Sequence, residues 1–229
     1  MTGVNARLAE RLAEYGLFLR GSARLEAREI EQYGIEAGFT EIALVGNIGS
    51  SYWSEFSQAP EFADAEPDPL DRWSRRVAEA VAAEFSLRAL YPFEGPPYYP
   101  FQQWARRAEG LEQSPLGVMM HPEFGLWHSY RFALLGTDFG APAVPSGASP
   151  CLQCVDKPCL NTCPVGAFDG VSYDVPACAA YLLATPDADC HRRGCLARHA
   201  CPVAPDLRYL DAQGSFHLRA FVAARQALE

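Results

Sequence analysis

Eight cysteines stand between Cys151 and Cys201, and the chain before them has none. They fall into two half-motifs, Cys151-x2-Cys154-x4-Cys159-x3-Cys163-Pro164 and Cys178-x11-Cys190-x4-Cys195-x5-Cys201-Pro202. Thiolates are soft donors that suit iron–sulfur clusters or zinc. Two sets of four meet the requirement of two cubane [4Fe–4S] clusters. Close pairs on a looping backbone supply two or three corners of a cage, and a distant cysteine closes it. Two four-cysteine zinc sites also fit the count. Zinc pairs, however, usually come as two tight Cys-x2-Cys knuckles, and only Cys151 and Cys154 make one. An even number of thiols fits a disulfide framework too, but that needs an oxidising compartment. The opening residues carry charge every few positions (Arg7, Glu10, Arg11, Glu14) and leave no apolar signal-peptide core. A cytoplasmic, reducing setting is therefore expected, where clustered thiols serve metals.

The proline after the last cysteine of each half bears on which sulfurs share a cage. In two-cluster ferredoxins the run ends Cys-x3-Cys-Pro, and that last cysteine serves the other cluster. Applied here, Cys151, Cys154, Cys159 and Cys201 hold one cluster. Cys163, Cys178, Cys190 and Cys195 hold the second. The bacterial run has two residues between its second and third cysteines, whereas this chain has four, Val155–Pro158. That lengthens a loop without removing a ligand. His191 and His199 lie among the cysteines and could replace a ligand, as in Rieske centres; with eight thiols present, a supporting or solvent-facing place suits them better. Lys157, the only lysine of the chain, falls here with Arg192, Arg193 and Arg198. Cations beside an anionic cluster stabilise its reduced form, and they serve solubility equally well.

Upstream elements must position an acceptor for those electrons. Leu8, Leu12 and Tyr15 recur at helical spacing, with Gly16 as a stop. Glu41–Gly46 reads as a buried strand, followed by a turn in which Gly46 and Gly49 could cradle a phosphate, although no Walker or dinucleotide fingerprint is present. Asp68-Pro69-Leu70-Asp71 begins a helix that runs through Phe85 with Trp73, Val77, Ala80, Val81 and Phe85 inward. Leu87–Tyr91 predicts a short strand. Pro92–Pro100 must be irregular, and Phe101–Ala108 resumes a helix. Leu116–His121 and Trp127–Leu135 read as a hairpin about a turn at Pro122–Gly125. Along its second strand Trp127, Ser129 and Arg131 would share one face, and His128, Tyr130 and Phe132 the other. Gly140–Pro150 is the linker.

The cysteine module resembles the ferredoxin-type domain of epoxyqueuosine reductase. That family also has a first run ending in Cys-Pro, matched by Cys163-Pro164, and an isolated cysteine before an aromatic and leucines, matched by Cys178-Ala-Ala-Tyr181-Leu182-Leu183. It ends in Gly-Cys…Cys-Pro, matched by Gly194-Cys195…Cys201-Pro202. The ligand grouping this family implies agrees with the crossover rule. A second segment, Gly117-Val-Met-Met-His121-Pro122-Glu-Phe124-Gly125-Leu-Trp127-His-Ser-Tyr-Arg131, is similar to the vertebrate cobalamin-processing (CblC-type) protein. Both families use a nitroreductase-like α/β domain that binds a corrinoid. The resemblance implies the same for this chain, with His121, Phe124, Trp127, Tyr130 and Arg131 as cofactor-binding residues. Tyr91–Phe101 could wall the same pocket. The chain is shorter than epoxyqueuosine reductases, and neither their catalytic acid nor their tRNA-binding portion has a clear counterpart. Glu55, Glu112, Glu123 and Asp138 are candidates for that acid by default.

The expectation is an α+β chain. A nitroreductase-like α/β domain over residues 1–146 precedes a small two-[4Fe–4S] ferredoxin-like domain over 147–229 that includes a C-terminal helix. Single electrons would pass from a donor protein or reductase, through the clusters, to a site near His121–Arg131. There a cobalamin-type corrinoid, or less favourably a flavin, would act on a small-molecule substrate as an oxidoreductase. A simple ferredoxin-type carrier or accessory subunit with no second cofactor is the alternative. Apolar runs such as Ile42–Val45 stop far short of the roughly 20 residues that span a bilayer, so no membrane partner is expected. The net charge of −9 argues against non-specific nucleic-acid binding.

Overall fold

In the computed structural model residues 3–140 and 148–227 are described, and they form a mixed α+β fold. The strands are β1 (Phe18–Arg24), β2 (Glu41–Ile48), β3 (Arg88–Leu90), β4 (Glu112–Gln113), β5 (Met119–Met120) and β6 (His128–Gly136). Contacts divide the chain into two compact units. One holds the described residues up to Gly110 and from His128 to Gly140; the other holds Leu111–Trp127 and the described residues from Ala148 onward. The expected linker lies largely outside the described residues.

The first unit is built on a four-stranded antiparallel sheet in the order β1-β2-β6-β3. Successive side chains of a strand point to opposite faces. Ile42 through Asn47 of β2 are all buried, so both faces of this strand are covered. That is why the sequence here is a continuous apolar run rather than an alternation. The helices are α1 (Gly3–Ala13), α2 (Ala27–Gln32), α3 (Trp53–Ser57), α4 (Pro60–Ala63), α5 (Pro69–Phe85) and α6 (Phe101–Glu109). α1 and α5 pack on each other and on the sheet, while α6 packs on β1 and β2. α5 buries Leu70, Trp73, Ser74, Val77, Ala78, Val81 and Ala82. Ala80 is exposed and Phe85 only half-buried, which corrects the expected inward face by one step of the helix. Trp73, Tyr52 and Phe56 form a fully buried aromatic knot. Each such side chain contributes about 1.5–3 kcal/mol by leaving water.

Two further expectations are corrected here. Gly46 does not belong to a phosphate cradle. It lies inside the sheet opposite Tyr130, and a Cβ there would collide with the Ser129 carbonyl oxygen. The hairpin is also replaced by other pairings: β5 pairs with β4, and β6 with β2 and β3. Moreover, Val45 pairs with Phe132 while Gly46 pairs with Tyr130, so Arg131 is the extra residue of a bulge. A bulge re-aims its side chain, and the simple alternation of faces from Trp127 to Phe132 fails at that point.

The second unit is a chain of short helices: α7 (Pro150–Gln153), α8 (Pro158–Asn161), α9 (Val175–Ala184), α10 (Asp189–Arg193), α11 (Leu196–His199) and the longer α12 (Asp211–Gln226). Its apolar centre gathers Leu116, Met120 and Leu126 with Cys159, Ala197 and Cys201. The Leu111–Trp127 segment thus packs beneath the cysteines. α12 closes on α10, and Gly214 sits so tightly against the Arg193 carbonyl that a Cβ there would overlap it.

Candidate metal centre

Short helices interrupted by turns suit a site that needs sulfurs from many directions. Asp174 caps α9, its carboxylate accepting the Ala177 N–H at 2.9 Å, and Pro176 starts the helix that carries Cys178. Asp169 folds the preceding turn by accepting the N–H groups of Val171 (2.8 Å) and Ser172 (2.6 Å). These N–H groups hold its carboxyl down at about 2. Gly194, with φ of +86°, breaks α10 so that Cys190 and Cys195 project from either side of the break.

The eight sulfurs divide into two groups. Cys163, Cys178, Cys190 and Cys195 line one cavity, of about 220 Å³. Cys151, Cys154, Cys159 and Cys201 line another, of about 20 Å³, beside Lys157. Electrostatic repulsion among the thiols runs the same way. Cys151 is raised by Cys201, Cys159 and Cys154, whereas Cys190 is raised by Cys178 and Cys163. All eight are free thiols. Among the described residues no group of three or more His, Cys, Asp or Glu side chains closes to the spacing of a single bound metal ion.

The surroundings of the sulfurs favour their anionic form locally. The Ala167 N–H donates to Cys163 Sγ at 3.3 Å. The backbone at Leu196 lowers the Cys190 thiol, that at Arg198 and Ala197 the Cys195 thiol, and that at Val203 the Cys201 thiol. The Tyr173 side chain lowers the Cys178 thiol. Burial works against them. It pushes the thiols of Cys151, Cys159, Cys178, Cys190 and Cys201 up, and that of Cys195 to about 11. Buried sulfurs with local donors, beside Lys157 in one cavity and Arg193 and Arg198 in the other, suit an anion-ligated, metal-bearing cage. His191 is engaged with the Leu182 carbonyl at 2.9 Å, and the His199 ring meets that of Trp127 at 5.1 Å. Arg193 and Arg198 line the larger cavity, while Arg192 is exposed and paired with Asp189.

The five expected cofactor residues are divided between the units. In the second unit, buried His121 stacks on Phe124 at 4.0 Å, and its Nδ1 accepts the N–H groups of Glu123 and Phe124. Trp127 is buried against His199 and Tyr209, with the Arg198 guanidinium 4.9 Å from its ring centre. In the first unit, the Tyr130 hydroxyl donates to Glu109, which also takes two bonds from Arg20, at 2.9 and 3.0 Å. Burial first and then the Glu109 carboxylate hold the Tyr130 hydroxyl firmly protonated. Arg131 faces Asp71 at 3.7 Å. Glu109 is the residue that sequence reasoning missed; a glutamate at a helix end carries no local signal of burial. Glu55, Glu112, Glu123 and Asp138 are all exposed.

Comparison with known protein families and with curated proteins gives no match. Among solved structures the chain is similar to epoxyqueuosine reductase from Bacillus subtilis, with 16% identity and a TM-score of 0.47 over 92% of this chain and 71% of that one. An epoxyqueuosine reductase bound to a tRNA-Tyr stem loop gives 16%, 0.46 and the same coverage. The C. elegans B12-trafficking protein CblC gives 12% and 0.49 over 95% of this chain and 94% of that one. At these values the likenesses assign no role to any residue.

Proposed function

We propose that this chain is a two-cluster iron–sulfur redox protein. Cys151, Cys154, Cys159 and Cys201 would hold one [4Fe–4S] cluster, and Cys163, Cys178, Cys190 and Cys195 the other. Such clusters accept and release one electron at a time. The chain's own part is to fix their spacing, donate N–H bonds to their sulfurs and exclude water. The observation that carries the reading is the partition of the eight sulfurs between two cavities, each taking a cysteine from the opposite half-motif. A four-iron cage spreads its thiolates farther than one ion does, because each sulfur binds a different corner. The smaller cavity, of about 20 Å³, has room for about one water, so a cluster there requires its walls to open.

The electrons would pass to an acceptor bound by the nitroreductase-like α/β part, and the sequence resemblance implies a corrinoid there. The second reading, a ferredoxin-type carrier with no further cofactor, is favoured by one observation. The expected cofactor side chains are engaged by their own units, Tyr130 by Glu109 and Trp127 by Tyr209 and His199. Anaerobic iron, sulfide, cobalt and flavin analysis of one sample separates the two readings. Cys163→Ala tests the ligand sets: it should cost the cluster of Cys178, Cys190 and Cys195 although it sits in the first motif. Loss of the Cys151 cluster instead would refute the assignment.

A further inference from the structure

Trp127 lines the larger cavity together with Cys163, Cys178, Cys190 and Cys195. The residue is only 1% exposed, and its indole N–H is buried with no hydrogen-bond acceptor among the described residues. His199 Nδ1, on the same cavity wall, likewise lacks a partner, so the two do not satisfy each other. An indole N–H can only donate, and leaving a buried one unpaired costs about 1–3 kcal/mol. The ring is nevertheless held on three sides. His199 meets it at 5.1 Å, Tyr209 at 5.5 Å, and Arg198 covers its face, itself anchored on the Leu126 carbonyl. A donor fixed this firmly and left without an acceptor points to an acceptor supplied by what the cavity binds.

We infer that the Trp127 indole N–H is a hydrogen-bond donor to a sulfur of the group held by the second cysteine cage, which makes Trp127 a positioning and potential-setting residue for that cluster rather than a wall for a planar macrocycle. This rests on the two-cluster reading. Donation to sulfur stabilises the more negative, reduced state. Removing the donor therefore disfavours reduction. The cluster is identified as the second by its loss in Cys190→Ala.

The test uses the full chain, reconstituted anaerobically, with tryptophan labelled by ¹⁵N in the indole ring. Pulsed EPR of the reduced second cluster should show hyperfine coupling to an indole ¹⁵N, and Trp127→Phe should abolish it. The same variant should keep its iron and sulfide. Its reduction equilibrium should shift about tenfold toward the oxidised form, about 59 mV for a one-electron couple. Retained clusters without ¹⁵N coupling in the wild type would overturn the inference, whether or not the variant folds. So would coupling that persists in Trp127→Phe, since another tryptophan would then be the donor. A wild-type chain that takes up no iron and sulfide would overturn the two-cluster reading itself, and the inference with it.

Discussion

A buried sulfur responds to each proton pointed at it. The Tyr173 hydroxyl lowers the Cys178 thiol, and its ring is fixed by stacking on Phe168 at 4.5 Å. Tyr173→Phe keeps the stacking and removes the donor. A hydrogen bond to a charged acceptor is worth about 1.5–3 kcal/mol, but the two redox states share most of it. The expected outcome is an intact second cluster with a lowered midpoint potential, read by spectroelectrochemical titration. An unchanged potential would mean that the hydroxyl serves the fold alone. Some of this residue scale is open to sequence and some is not. The Cys-Pro endings lead to an expected grouping of cysteines across the two halves, and the linings of the two cavities fall into the same two groups. The neighbours of Trp127 are not open to sequence, because His199 and Tyr209 stand far along the chain from it and only the folded unit brings them to its ring. Glu109 is hidden for the same reason: Arg20, Gly21 and Tyr130 reach it from two separate strands.

On the two-cluster proposal, the elements matter as much as the cysteines they carry. Gly214 lies inside α12, where glycine costs roughly 1 kcal/mol relative to alanine. By propensity alone, Gly214→Ala should stabilise the helix. The close approach to Arg193 and Gly194 reverses that expectation, since the added methyl meets backbone that cannot turn aside. Overpacking of this kind typically costs about 1–3 kcal/mol, and it would push α12 away from the segment bearing Cys190 and Cys195. We expect lower iron retention in the second cage and a lower urea midpoint; a variant as stable as the parent and fully loaded would show that the contact is soft. The elements themselves were largely legible. The apolar run of β2, the Asp68-Pro69 helix start and the proline-rich break before α6 all stand where composition places them. Strand pairing was not legible, because β6 finds its partner in β2, with the whole of α3 to α6 between them. Local turn signals at Pro122–Gly125 suggested a hairpin, and non-local burial of β6 prevailed.

The molecule as a whole carries an excess of carboxylates, and several are held by buried ion pairs. Glu29 is the clearest case. Burial pushes its carboxyl up, but bonds from Arg107 at 2.8 Å, the Glu26 N–H at 2.8 Å and the Trp104 indole at 2.9 Å outweigh that and lower it overall. The Arg76 guanidinium holds the Glu61 carboxyl down as well. A carboxyl lowered in the folded state binds fewer protons than the unfolded chain does. Its contribution is therefore complete above the unfolded value, about 4.3 for glutamate, and is lost as pH falls through the folded one. The native state should consequently weaken below about pH 5. Glu29→Gln separates this pair from the general effect of acid. At neutral pH it should cost about 1–2 kcal/mol, because the Arg107 guanidinium loses the more buried of its two charged partners and keeps only Glu26. The gap between variant and parent should close as pH approaches 3. Unfolding midpoints of the full chain, followed by fluorescence of the tryptophans at matched pH values, measure that gap directly. A gap that stays constant from pH 7 to 3 would mean that Glu29 acts through shape and hydrogen bonding rather than through its charge.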